Sequence, residues 1–503
     1  MLFIWFGVNA NPGWIKYPDS HFYLNVAMSW ADGNPVINDG SGAFVRPVAY
    51  AIQGIGYALG GFDGLYLFTL AFSLGTIFHV VKSKNAMFLS LLMLLITSSI
   101  FFRHSNNILL QLPALSFVLM ATNLGFKSDI RSYLTCLATS TVLLFGVFVH
   151  GGVVFLWLAY LAALGIKSVQ TRETFSPTFF ASILIRLGIL FSMLFILLFV
   201  FELYFDSQVF DSFFRERGFS NNGSDYWVGS FFVEYLYSLS KGTGVHVWLI
   251  WLVFITAVIR LFFSMAKRVA PNFVTLWLVL FLLCLELLTF TGIMNRSASA
   301  GEYYRVYFNS YPLFLYVAYA QMGFFIKHVS FILYKPLSTI IFDEPGIASI
   351  KFEKSIAFGL KLLVILIILF FSQKSFFDSI HVLEKSHFNS VREYLKNTTN
   401  VNEKALILPA NVYRHRKFFT HEDFSELDVT YYGDHCFNDT DEPPQLSEFD
   451  RIIVVKNKRL VDKRINNKLI ENGCSPDYSM EKLLGDSEFT KSVTLDGIEI
   501  YDL

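Results

Sequence analysis

Long apolar runs separated by short polar connections fill residues 62–373, and they limit this chain more than any other feature. A run of roughly 18 or more apolar residues is long enough to cross the hydrocarbon core of a bilayer as a helix. Lipid offers no water to backbone amides, so each such run must bond internally. Spans are predicted at residues 62–81, 85–102, 107–125, 132–149, 151–166, 182–205, 245–265, 271–293, 310–326 and 356–373. The expected fold is mainly α: a polytopic α-helical membrane protein with about ten spans. Composition agrees, with 54% hydrophobic and only 16% charged residues. The formal net charge is +0, which gives no electrostatic basis for a nucleic-acid partner.

Where the charges sit sets the orientation. One set of alternating loops holds Lys82 and Lys84, Lys127 and Arg131, Lys167 and Arg172, Lys267 and Arg268, then Lys327, Lys335, Lys351 and Lys354. The positive-inside rule makes that set cytoplasmic. The opposite set holds residues 1–61, the turn 103–106, the turn at His150, the loops 206–245 and 295–309, and everything after Gln373. Both terminal segments are therefore expected on the extracytoplasmic face. Residues 1–8 are apolar but too short to span, and an outer N-terminus with no preceding helix is unusual. A first helix missing through truncation or a misplaced start is the expectation, since one more span would return the N-terminus to the cytoplasm. The alternative, a cleaved signal sequence, lacks its basic n-region and cleavage pattern.

Three parts follow: residues 1–61, a first outer loop with two surface helices; residues 62–373, the transmembrane module; and residues 374–503, a soluble α/β domain. In the first, Phe22, Tyr23, Val26, Ala27 and Trp30 recur at helical spacing before Asp32, Gly33 and Pro35 stop the run. A second run over 47–59 ends at Gly60 and Gly61. In the last part, strands are expected at 405–408 and 451–455, helices ending near 390–396 and over 460–471, and a hairpin of 493–495 with 498–501 across Asp496 and Gly497. Cys436 and Cys474 would face an oxidising compartment, which leaves a disulfide open. The histidines His415, His421 and His435 lack metal-ligand spacing and read as surface residues.

Ionisable groups at the outer ends of spans are the candidates for chemistry, because charge near lipid needs a partner or a purpose. Asp19 follows Pro18 at the start of the first surface helix, where it reads as an N-cap and equally as a base. The motif Pro18-Asp19-Ser20-His21-Phe22-Tyr23-Leu24 leads to Asp32-Gly33, and Arg46-Pro47 then opens the aromatic run to Gly60-Gly61. Further along stand His150-Gly151-Gly152 at an outer helix end and Tyr304-Arg305 ahead of Pro312 and an apolar span.

In this order and on this common side, the pattern resembles the GT-C glycosyltransferases, in the branch of the protein O-mannosyltransferases and the bacterial aminoarabinose transferases that modify lipid A. The resemblance covers nearly the whole chain, including the soluble domain after the last span. It implies a polyprenyl-phosphate sugar as donor, a lipid, glycan or protein as acceptor, and inverting transfer on the extracytoplasmic face of a bacterial inner membrane. Membrane lipids surround the chain and nucleic acid plays no part. Asp19 matches the family's acidic residue and is the candidate base. Arg305, Arg103, Arg46 and His150 are the candidate donor-phosphate ligands. Tyr23, Asn107, Tyr304 and Glu302 are candidate substrate contacts.

One departure stands out. Many relatives carry a second acid after the second span, where this chain has Arg103-His104-Ser105-Asn106-Asn107. That disfavours a bridging divalent metal, so no metal and no cofactor is expected. Other readings stay open: Arg305 as a snorkelling arginine, His150 as a turn histidine, Arg103 as an anchor, and Glu302, Asp225 and Glu234 as solvated groups. A surface-polysaccharide polymerase or ligase, or a transporter, is the alternative function, although no inverted repeat is visible.

Overall fold

The computed structural model describes residues 18–33, 46–81, 86–97, 101, 111–127, 132–170, 177–205, 236, 240, 247–267, 269, 272–290, 308–341, 347–383, 394–395, 397–398, 403–408, 427–431, 446–455, 489–495 and 498–502. The chain divides into two units. One holds the helices from Val26 to Val382 and the other the C-terminal sheet, together with the start of the first helix.

The helices are α1 (Pro18–Ala31), α2 (Pro47–Val81), α3 (Ala86–Ile96), α4 (Gln111–Lys127), α5 (Tyr133–Val147), α6 (Val153–Gln170), α7 (Pro177–Phe205), α8 (Val247–Ala266), α9 (Phe273–Phe290), α10 (Tyr311–Ile341) and α11 (Ile347–Leu383). A helix lies at each span expected from the sequence. Four of them, in α6, α7, α8 and α11, are long and apolar enough to cross a membrane. Other helices fall short of that length among the described residues, α3 most clearly, with 11 residues. At 1.5 Å per residue such a helix reaches only about half the hydrocarbon thickness. The protein is an integral membrane protein, mainly helical, with a C-terminal mixed sheet.

Both short helices expected ahead of the first span are present. Pro18 takes the first helical position, where its fixed φ and missing N–H cost nothing. Asp19 is thus the second helical residue, not the N-cap that the sequence suggested. Acidic residues in the first turn of a helix are in general favoured by its dipole. The second helix, 47–60, runs into the first long apolar helix through a sharp reversal at Gly60 and Gly61, and Gly61 takes φ 59. Only glycine adopts that conformation without strain. The reversal presses the two halves of α2 together: a Cβ on Gly64 would lie 2.5 Å from the Gly56 carbonyl oxygen. Gly54 likewise gives α1 its contact, since a Cβ there would meet the Trp30 Cβ at 2.7 Å. Trp30 then packs edge-on against Tyr50.

In the interior, α4 lies against α2 and α5, and α6 against α5 and α9. Its largest buried side chains include Trp157, Trp277, Tyr160 and Tyr316, and each of these four hydrogen-bonds through its polar end. Trp157 Nε1 donates to Ser140 Oγ at 2.8 Å and Trp277 Nε1 to the Leu156 carbonyl at 2.8 Å. Tyr160 donates to the Cys136 carbonyl, and Tyr316 to Asn123 Oδ1 at 2.9 Å. A buried indole or phenol keeps its large apolar payload only if that polar end finds such a partner. Arg260 of α8 lies over the Phe324 ring and reaches Gln321 Oε1 and the Ala320 carbonyl, which ties α8 to α10. The periphery is different. The apolar window of α11 is 11% buried against 56% for α6, which leaves Phe358, Leu362, Leu366 and Phe370 exposed to solvate in lipid tails.

The C-terminal sheet comprises β1 (Glu403–Leu408), β2 (Leu427–Tyr431), β3 (Arg451–Val455), β4 (Thr490–Leu495) and β5 (Ile498–Asp502), in the order β2-β1-β3-β5-β4. β1 pairs in parallel with β2 and β3, while β5 runs antiparallel to both β3 and β4. Leu406 and Ile407 pair with Ile452 and Ile453, within the continuous buried apolar runs 405–407 and 452–454 that strands covered on both faces require. Strand β2 is an addition to the sequence reading. The expected helix over 460–471 and the two cysteines Cys436 and Cys474 lie outside the described residues.

Register brings Arg451 opposite Asp502, where its Nε donates to Oδ1 at 2.6 Å, and Glu403 Oε1 lies 3.1 Å from the same nitrogen as an ion pair. Arg451 and Glu403 are both buried. Removing one partner from such a group strands a charge at a cost of about 3–5 kcal/mol. Arg451→Ala is therefore expected to speed hydrogen exchange of the β1 and β3 amides in the intact protein. Pairing it with Glu403→Leu should recover most of the protection, whereas unchanged exchange in the single variant would mean that the ion group contributes no stability.

Candidate active site at the turn between α5 and α6

Among the sequence candidates, Asp19, Tyr23, Arg46 and His150 fall on described residues. Arg103, Asn107, Glu302, Tyr304 and Arg305 lie outside them. Asp19 stands in the first turn of α1, and the buried Tyr23 follows one turn later. Arg46 immediately precedes α2, half-buried, and its carbonyl accepts the Tyr50 amide at 3.0 Å. Counting along α2, Arg46, Tyr50 and Gln53 follow at helical spacing on one face. Asp19 belongs to one unit, and Arg46 and His150 to the other.

His150 sits where α5 ends and α6 begins. Its amide closes the last turn of α5 onto the Gly146 carbonyl at 2.9 Å, and its own carbonyl accepts the Val153 amide at 3.1 Å to open α6. The connection is so short because one residue serves both helices, and this holds the ring in place from two sides. The imidazole is 8% exposed. Its Nδ1 lies 3.3 Å from the Gly152 amide nitrogen and 3.2 Å from Asn309 Nδ2. Asn309 is 1% exposed and belongs to the 3-10 turn Phe308–Ser310 that leads into α10. That turn packs against α4 and α6. A helix junction and a helix start thus meet in a buried polar cluster that can present hydrogen-bond donors to an anion.

Sequence reasoning missed two residues. Asn309 carried one weak signal, its place just before Tyr311-Pro312 and an apolar run. Gln53 carried none. It is fully buried in α2, and neither its Nε2 nor its Oε1 has a hydrogen-bond partner; Asn309 Oδ1 is bare in the same way. Each buried unsatisfied polar group costs about 1–3 kcal/mol, so such atoms mark positions where water or a ligand supplies the missing bond. Among the described residues no three His, Cys, Asp or Glu side chains gather as a metal ion would need.

No protein-family model matches the chain, and no curated protein matches it. Among solved structures the chain is similar to ArnT from Cupriavidus metallidurans in the apo state, at 10% identity and TM-score 0.49, over 99% of this chain and 97% of that one. It is similar to the same protein bound to undecaprenyl phosphate at 11% identity, with the same TM-score and coverage. Likeness at that level assigns no activity and no residue roles to this chain.

Gln53→Leu preserves volume and removes both bare groups. With no protein partner to lose, the variant is expected to hold or raise the thermal midpoint of the purified protein, by up to about 2 kcal/mol of stability. A clear fall in the midpoint would mean that the amide is tied to a polar group within the fold.

Proposed function

We propose that this chain is a membrane glycosyltransferase of the GT-C type that transfers a sugar from a polyprenyl-phosphate donor to an acceptor on the extracytoplasmic face. The observation that carries the reading is the pair of short helices ahead of the first long apolar helix. One has Asp19 in its first turn, and the other is opened by Arg46-Pro47 and ended by the Gly60-Gly61 reversal. Neither is long enough to span, so both suit the membrane surface, where a lipid-linked phosphate and a water-borne or lipid acceptor can meet.

The chemistry is a single displacement. Asp19 takes the proton from the acceptor hydroxyl as its oxygen bonds to the anomeric carbon. The bond from that carbon to the phosphate oxygen breaks, its electron pair leaves with the polyprenyl phosphate, and the configuration inverts. Charge grows on the phosphate as it departs, so fixed donors there lower the barrier most. Arg305 and Arg103 are the candidates for forked contacts to its oxygens, with Arg46 and His150 in support. Tyr23, Asn107, Tyr304, Glu302 and Gln53 are the candidate sugar and acceptor contacts, and the amide of Gln53 can both donate to and accept from a hydroxyl. The scheme calls on no metal ion, because one acid and several cations supply the base and the charge. The alternation of positive charge among the loops supports this orientation, with residues 374–503 on the extracytoplasmic face, and the family resemblance implies a bacterial inner membrane.

The test is transfer in proteoliposomes with a panel of polyprenyl-phosphate sugars, comparing the intact protein with Asp19→Asn. Loss of a positioned base is expected to slow turnover by about 10²–10⁴-fold, with the thermal midpoint unchanged. Undiminished turnover in the variant would remove Asp19 from the chemistry. Successive addition of sugars to one acceptor, in place of a single transfer, would favour a polysaccharide polymerase instead.

A further inference from the structure

Helices α8 and α10 meet through the side chain of Arg260, a cation inside an apolar helix. Residues 247–272 and 311–341 hold Arg260, Lys267, Arg268, Lys327 and Lys335, and not one Asp or Glu. Among the described residues no carboxylate pairs with Arg260. Its guanidinium lies 4.1 Å from the Phe324 ring centroid, and Nη1 alone donates its two hydrogen bonds, each 3.4 Å, to the Ala320 carbonyl and Gln321 Oε1. Neutral oxygens and a ring share that charge without cancelling it. A charge kept at such a depth calls for a partner of opposite sign.

The donors left over have a shape. Nε–H and the adjacent N–H of Nη2 form one edge of the guanidinium plane, and among the described residues that edge bonds to nothing. It is the fork that takes two oxygens of one phosphate. Arg260 is half-buried, and Ile259, Phe263, Phe324 and Phe325 beside it are exposed. Lys267 follows seven residues later, about 10 Å along the helix. On α10 the exposed Lys327 and His328 come after Phe324, and the His328 ring lies 3.9 Å from the Phe324 ring, centroid to centroid. The seam therefore joins a cationic rim to an inner guanidinium between apolar walls. That suits the head and tails of a lipid better than a water-borne anion.

We propose that the seam between α8 and α10 binds an anionic phospholipid, with Arg260 forked onto the headgroup phosphate and Lys267, Lys327 and His328 around the rest of the headgroup. The exposed aromatic side chains lie along its acyl chains. By the loop charges this leaflet is the cytoplasmic one, so the lipid is distinct from the sugar donor, whose chemistry belongs to the opposite face. The bilayer surface dips toward a charge at this depth, which brings the phosphate within reach. Once bound, the lipid neutralises Arg260 and strengthens the tie between α8 and α10.

The experiment is a native mass-spectrometry titration of phosphatidylglycerol into delipidated full-length protein in a non-ionic detergent, with phosphatidylcholine as the zwitterionic control. No donor and no turnover enter it, so its outcome is independent of the glycosyltransferase reading. The wild-type protein is expected to bind its first phosphatidylglycerol about tenfold more tightly than phosphatidylcholine. Arg260→Gln is expected to weaken phosphatidylglycerol about tenfold, as loss of a forked bond to a charged group would do. Arg260→Lys keeps the charge without the fork and should fall between the two. Equal binding of both lipids, or undiminished affinity in Arg260→Gln, overturns the proposal. Should the Arg260 variants fail to fold, the wild-type comparison still decides, together with the surface double variant Lys327→Ala/His328→Ala. That variant is expected to weaken phosphatidylglycerol about fivefold, and no change in it also overturns the proposal. Displacement of the lipid by millimolar inorganic phosphate would mean a plain anion site, and tighter binding of undecaprenyl phosphate at Arg260 a site for the carrier. Either result overturns the assignment to a phospholipid.

Discussion

A polar group placed among hydrocarbon chains must find its partner within the protein, and this constraint orders the helical unit. It explains why the chain crosses lipid depth as helices, whose amides bond within the segment. It also explains the side chains that join them. The indole of Trp277 reaches across to a carbonyl of α6, and the phenol of Tyr316 reaches Asn123 of α4. Association between helices in lipid gains little from hydrophobic burial, because tails are as apolar as leucine. Close packing and these few polar ties do that work, and the Gly56–Gly64 contact is its tightest example.

Against that background, polar groups that break the rule carry information. Arg260 is answered by α10, and the indoles of Trp157 and Trp277 and the phenols of Tyr160 and Tyr316 by their own partners. Gln53 and the oxygen of Asn309 are not. Both occur where the fold departs from straight spans, in the short helix before the Gly60-Gly61 reversal and in the turn before α10. Irregular backbone at such places is tolerated where it lines a polar space. Thr275, Gln321 and Ser372, inside α9, α10 and α11, also keep a side-chain atom without a partner, so bare atoms are not confined to the motifs that suggested a site.

Much of this was legible in the chain itself. Helix positions followed from hydropathy, and β3 and the β4–β5 hairpin followed from strand-period apolar runs and an Asp-Gly turn. His150 was legible as a helix-junction histidine because the flanking apolar runs end and restart there. The misses have equally physical causes. Strand β2, with Asp428 and Thr430 in its five residues, is an edge strand whose sequence need only pair on one side. Asp19 sits two residues further into its helix than its cap-like appearance suggested, because Pro18 can itself begin a helix. Asn309 was hidden because an asparagine before an apolar run has no local property that names a partner so far back in the chain.

By itself, the sequence determined that this protein lives in a membrane, where its helices lie, which loops carry positive charge, and the order of its acidic, basic and glycine motifs. Those are local matters, set by the length, period and charge of short segments. Only the tertiary structure decided that His150 meets Asn309, that Arg451 gathers Glu403 and Asp502, and that Gln53 is sealed away without a partner. Such pairings depend on how whole helices and strands settle against one another, and packing between distant segments leaves no periodic trace in the sequence around any one of them.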